Sequence, residues 1–137
     1  MIEFNFQKEF TFIDQDKLSD WISTTIVSEE HKEGDLNYIF CTDDYLLELN
    51  IKHLKHNTLT DIITFDYSLS KLISGDIFIS IDRVLENAST YNTSFEDELH
   101  RVMIHGILHL CGYKDKEEHD KVLMRNKEDN YLSLRTF

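Results

Sequence analysis

The sequence predicts one α+β domain spanning 1–137: a central, mostly four-stranded mixed sheet packed against helices, with a metal site on a helix of the C-terminal half and the turn after it. Three observations lead there. A length of 137 residues at 41% hydrophobic content suits a single core. Short β-branched and aromatic runs alternate irregularly with stretches of helical period. His105 and His109 stand four residues apart in one of those helical stretches, just before Gly112.

There is no proline, and the four glycines are Gly34, Gly75, Gly106 and Gly112, so boundaries are read from polar clusters and changes of period. Repeats, linkers and low-complexity tracts are absent. Phe4, Phe6, Phe10 and Phe12 alternate with polar residues, which predicts an edge or half-buried strand. Asp14 caps a helix to about Glu30 that carries Leu18, Trp21, Ile22 and Ile26, with Val27 at the margin of the face. His31 to Asp35 reads as a polar turn around Gly34, and Leu36 to Cys41 as a strand. Thr42 or Asp43 caps a second helix with Tyr45, Leu46 and Leu49 on one face, His53 extending it, fraying near Lys52 to Lys55. Asp61 to Phe65 and Gly75 to Ile81 read as the central strands, with Tyr67 to Ser74 as the loop between them. Asp82 begins a helix to about Tyr91. Ser94-Phe95-Glu96-Asp97 offers a capping box for a helix that runs to Cys111 and is ended by Gly112. A last helix covers about Glu117 to Ser133, with Val122, Leu123 and Leu132 as its packing contacts.

Composition excludes several classes. Two cysteines, Cys41 and Cys111, are too few for a disulfide framework, and Met1-Ile2-Glu3-Phe4 turns acidic too early for a secretory signal, so the reducing cytoplasm is the expected compartment. Both cysteines read as small core residues. No apolar run approaches the roughly 18 residues of a membrane span. Asp+Glu 26 against Lys+Arg 14 gives a formal charge of -12, which repels nucleic acid at long range and argues against a general nucleic-acid binder. A nucleic-acid substrate whose phosphates meet a local metal and a few local cations is compatible with it.

Residues four apart on a helix share a face, so His105 and His109 can aim two imidazoles at one point. The same spacing underlies the H-E-x-x-H metalloproteases, in which the residue after the first histidine is the general base. Gly106 holds that position here, and the protease reading is set aside. A catalytic zinc site needs three protein ligands and an open position. Gly112 lets the chain turn back, and Asp115 beyond it is the preferred third ligand, with His119 the rival. Against this, Asp115 also reads as the N-cap of the last helix with Glu118 completing a capping box, and His119 as a partly exposed helix residue. His100 points away from the ligand face and is read as a non-ligand.

His105-Gly106-Ile107-Leu108-His109-Leu110-Cys111-Gly112-Tyr113 resembles the signature H-G-x-L-H-L-x-G-Y-x-H of the YbeY family of bacterial rRNA-maturation endoribonucleases. Leu49-Asn50, Thr60-Asp61-Ile62-Ile63-Thr64-Phe65 and Gly75-Asp76-Ile77-Phe78-Ile79-Ser80 are similar to further family segments, and they stand in the family's order. The resemblance implies an α+β fold with a central sheet, one divalent metal per chain, zinc by family, and single-strand-specific cleavage of RNA in ribosomal RNA processing. Carried over by position, the ligands are His105, His109 and Asp115. Aspartate replaces the family's third histidine, and this harder ligand lowers zinc affinity or shifts preference toward Mn²⁺ or Fe²⁺. The family's arginine a few residues after Asn50 is also missing, since His53-Leu54 stands there. An arginine would clamp a phosphate. Lys52, Lys55 and His56 are near enough to substitute, and Lys55 and His56 are the chosen candidates, weighed against a solvated helix end.

The expected activity is metal-assisted phosphodiester hydrolysis, or transesterification by the RNA 2′-hydroxyl, with the metal polarising a phosphoryl oxygen or lowering the pKa of a water. The competing expectations are a ribosome-assembly or protein-binding factor with a structural metal, and a metal-dependent hydrolase of a small molecule.

Overall fold

The computed structural model describes residues 1–10 and 14–137. In chain order the elements are β1 (Ile2–Phe6), α1 (Gln15–Ser28), β2 (Lys32–Cys41), α2 (Asp43–Leu49), a π-helical turn (Asn50–Leu54), β3 (Ile62–Asp66), β4 (Leu72–Ser80), α3 (Ile81–Thr90), α4 (Phe95–Leu110) and α5 (Glu118–Ser133). The sheet has the order β1-β2-β4-β3, with β1, β2 and β4 parallel and β3 antiparallel to β4. This is the four-stranded mixed sheet with helices that the sequence predicts.

Side chains alternate across the sheet, so each face has its own partners. Leu36, Tyr38 and Phe40 of β2 and Ile73, Ile77 and Ile79 of β4 are buried in the main core with residues of α1, α3, α4 and α5. Cys41, Ile63 and Leu46 form a smaller cluster on the opposite face with Leu49, Phe65 and Phe78. Helix α4 is buried over most of its circumference, from Leu99 to Leu110. Gly106 is what lets it lie down on the sheet, since a Cβ there would meet Ile62 and Ile77 at 3.1 Å.

Caps follow the sequence closely. Asp14, Thr42, Ser80 and Ser94 each accept a backbone N–H of the first turn of their helices. Gly112 takes φ 105 after α4, a conformation in which a Cβ is strained.

The structure corrects the reading in several places. The turn expected at His31 to Asp35 lies earlier, at Glu29 and Glu30, and β2 already begins at Lys32. Gly34 marks a register shift inside β2, where the backbone runs too close to Ile73 and Ser74 to admit a side chain. β3 is an edge strand, not a central one; β2 and β4 are central. The expected Tyr67 to Ser74 loop is shorter, because β4 starts at Leu72 and Leu69 bridges to it. Helix α1 stops at Ser28 with Val27 exposed. Helix α2 does not fray but passes into the π-helical turn, where Asn50 is buried and donates to the Thr58 carbonyl at 2.9 Å. In α5 the packing face is Met124, Glu128 and Tyr131, at i, i+4 and i+7; of the expected contacts Leu132 packs against the core, while Val122 and Leu123 are exposed. Phe10 lies beyond β1 against Phe40 and Phe95, and Phe12 falls outside the described residues.

Candidate metal centre

His105 and His109 occupy successive turns at the C-terminal end of α4, with ring centroids 4.5 Å apart. The chain leaves α4 through Gly112 and returns Asp115 to both rings. Its Oδ2 lies 3.3 Å from His105 Nε2 and 3.2 Å from His109 Nε2. One ligand atom from each of the three residues falls within 4.8 Å of the other two. The N-cap of α5 is Glu117, without a side-chain cap bond, so the capping reading of Asp115 does not hold.

The other ring nitrogens are engaged as well. His109 Nδ1 lies 2.9 Å from the Tyr113 carbonyl oxygen, and His105 Nδ1 lies 2.6 Å from Glu128 Oε2. Both contacts are to acceptors, so each Nδ1 can donate there, and each Nε2 lies on the Asp115 side. Two imidazoles and a carboxylate converging in this way match the donor set of a divalent transition-metal site. Arg101 completes the support, with Nη1 2.9 Å from Glu128 Oε1 and Nη2 2.6 Å from Asp129 Oδ1.

His119 is turned away; its ring is 77% exposed and meets Glu117 and Asp120. These three surface residues form a second cluster with metal-binding potential. His100 is buried between Trp21 and Phe137, and its Nδ1 accepts from Arg135. Burial pushes the thiols of Cys41 and Cys111 up to about 12, which leaves both unreactive.

Two cavities meet at the cluster. One, of ≈370 Å³, is lined by Tyr91, Glu98, Arg101, Lys121 and Arg125; the other, of ≈530 Å³, by Leu54, Thr60, Thr64 and Lys116. His105, Asp115, Asp61 and Ile62 line both, so the imidazole and the carboxylate stand on the wall between them. Burial raises the carboxyls of Asp61 and Glu98 beside the cluster. For His105, burial opposes the charged form, but the hydrogen bond and charge of Glu128, with Asp115 and Asp61, outweigh it and raise the imidazole. Lys55 and His56 are exposed on the turn that follows Leu54, Lys55 at φ 56, and Leu54 itself is on the cavity wall.

Glu128, Arg101 and the two raised carboxyls were not singled out from sequence. A signal for Glu128 existed: a carboxylate on the stripe Met124, Glu128, Tyr131 faces the interior and needs a partner there.

The fold and the cluster together define an α+β protein that holds two imidazoles and a carboxylate between two cavities. The family model for "Endoribonuclease YbeY" matches residues 3–135. The chain belongs to this family. A protein named endoribonuclease YbeY from Flavobacterium johnsoniae is 54% identical over 98% of this chain and 96% of its own length. One of the same name from Flavobacterium psychrophilum is 55% identical over the same shares. A solution structure of a Thermotoga maritima protein matches with TM-score 0.70 and 30% identity, covering 97% of this chain and 87% of the other.

Proposed function

We propose that this chain is a metal-dependent endoribonuclease that cuts single-stranded RNA during ribosomal RNA maturation in the cytoplasm, working as one unit over 1–137. The observation that carries the reading is the convergence of His105 Nε2, His109 Nε2 and Asp115 Oδ2 at the junction of two cavities. Membership in a family named for endoribonuclease activity supplies the reaction class. His105, His109 and Asp115 are the ligands of one divalent cation, zinc by family. When bound, that cation supplies polarisation of a phosphoryl oxygen and activation of a water.

The chain's own residues set the rest. The Tyr113 carbonyl and Glu128 take up Nδ1 of the two imidazoles and so orient each Nε2 toward Asp115. Lys121 and Arg125 on one side and Lys116 on the other offer cations for phosphates flanking the cut, against a background charge of -12. An unpaired strand, whose bases can splay out, is the RNA form assigned to these cavities. Lys55 and His56, on the exposed turn past Leu54, are assigned to the phosphate beyond the cavity rim, the place left by the missing arginine. Among the described residues no helix is long and apolar enough to cross a membrane.

A second reading, a ribosome-assembly factor whose metal is structural, is favoured by the acidic balance and by Leu54 on the cavity wall. Cleavage of a single-stranded RNA by the purified wild type, His109→Ala and Lys55→Ala separates the two. The expected outcome is cleavage by wild type, none above buffer by His109→Ala, and a loss for Lys55→Ala smaller than the roughly 10²-fold of a buried donor. Equal cleavage by wild type and His109→Ala sinks the nuclease reading.

A further inference from the structure

Glu128 is 5% exposed, a carboxylate on the packing face of α5. Burying a charge is unfavourable unless it is paired, and apolar side chains of similar volume serve stability as well or better. Arg101 pairs with it but is shared, since Asp129 Oδ1 also receives Arg101 Nη2 at 2.6 Å. What Glu128 alone provides is an acceptor 2.6 Å from His105 Nδ1. Its second oxygen, Oε1, is held by Arg101 Nη1 at 2.9 Å, so the carboxylate is fixed from behind. His109 obtains the same orientation from a backbone carbonyl, that of Tyr113. His105, one turn earlier, takes its acceptor from a carboxylate on α5 instead.

We propose that Glu128, braced by Arg101, is the positioning residue of the site: it fixes His105 as the Nδ1–H tautomer, turns Nε2 toward His109 and Asp115, and thereby sets affinity for the cation. The affinity clause rests on the metal reading above; the tautomer clause does not. The pattern predicts a coupling between α4 and α5 that the three ligands alone would not have. An acceptor on Nδ1 raises the basicity of Nε2 and removes the rotational freedom of the ring, and loss of such partners weakens metal binding by about 10- to 100-fold.

The test uses the full chain as wild type, Glu128→Ala, Glu128→Gln and Asp129→Asn. Zinc affinity is measured by competition with a chromophoric chelator, and the His105 tautomer by long-range ¹H–¹⁵N correlation in metal-free protein. Glu128→Gln keeps an acceptor without charge and is expected to bind zinc about 10-fold more weakly, and Glu128→Ala up to about 100-fold more weakly. Asp129→Asn, which loosens Arg101 without touching His105, should bind as wild type. Metal-free Glu128→Ala should show His105 as a mixture of tautomers, a change that a merely structural ion pair would not produce. If Glu128→Ala does not fold, Glu128→Gln decides alone. Wild-type zinc affinity with an unchanged tautomer in the Glu128 variants overturns the proposal, and so does equal weakening in Asp129→Asn. Wild type that takes up no zinc overturns the metal reading and the affinity clause together, and the tautomer measurement then still decides the positioning role.

Discussion

His100 shows what a histidine does in this fold when it takes no part in the site. Burial first, and the charge of Arg135 second, push it down from 6.5 to about 4, with Asp97 pulling weakly the other way. Its Nδ1 accepts from Arg135 Nη1 at 2.7 Å, a bond that a proton on Nδ1 would abolish. The unfolded chain protonates this ring near 6.5 and the folded protein only near 4, so between those values the unfolded state binds more protons. Stability is therefore full above pH 6.5 and is lost as pH falls toward 4. At 1.36 kcal/mol per unit the whole window is worth up to ~3 kcal/mol. Denaturant unfolding of wild type and His100→Gln across pH 4.5–7 should give a shallower loss in the variant; equal slopes would refute this role. The contrast with His105 is instructive, since that ring is also partly buried but faces Glu128 and Asp115 and is raised.

Among the elements, α4 was the most legible. Ser94, the apolar face and Gly112 are all local signals, and each acts where local chemistry predicts. Strand rank was not legible. Ile62 to Phe65 reads as a central strand because both of its faces are covered, Ile62 by the main core and Ile63 and Phe65 by the α2 cluster, although its outer edge is unpaired in the sheet order. Gly34 was read as a turn because a glycine among charges looks the same whether it bends the chain or makes room for a neighbouring strand. The face of α5 was misjudged because Glu128 and Tyr131 bury polar atoms there, while Val122 and Leu123 face solvent. Gly75 is the sharpest demand of the sheet. A Cβ would collide with the Phe65 carbonyl across the β3–β4 pair, and backbone cannot step aside as a side chain can. Gly75→Ala is expected to cost about 1–3 kcal/mol, read as a lower denaturant midpoint; an unchanged midpoint would show that the β3–β4 hairpin yields freely.

For the molecule as a whole, the site divides into a part written along the chain and a part written across it. His105, His109 and Asp115 lie within one helix and one turn, so spacing alone brought them onto a common point. Glu128 and Arg101 reach that point only through the packing of α5 on α4, and the cations of the first cavity are collected from separate helices. The net charge of -12 describes the average surface, while Arg101, Lys121, Arg125 and Lys116 describe the groove. All of these assignments meet at the proposed cation. Crystals grown with Zn²⁺ and measured at the zinc absorption edge locate it directly. The expected result is one anomalous peak about 2.0–2.2 Å from His105 Nε2, His109 Nε2 and an Asp115 carboxylate oxygen, with a fourth position open to water. A peak at Glu117, His119 and Asp120 instead, or none between the two cavities, would contradict it.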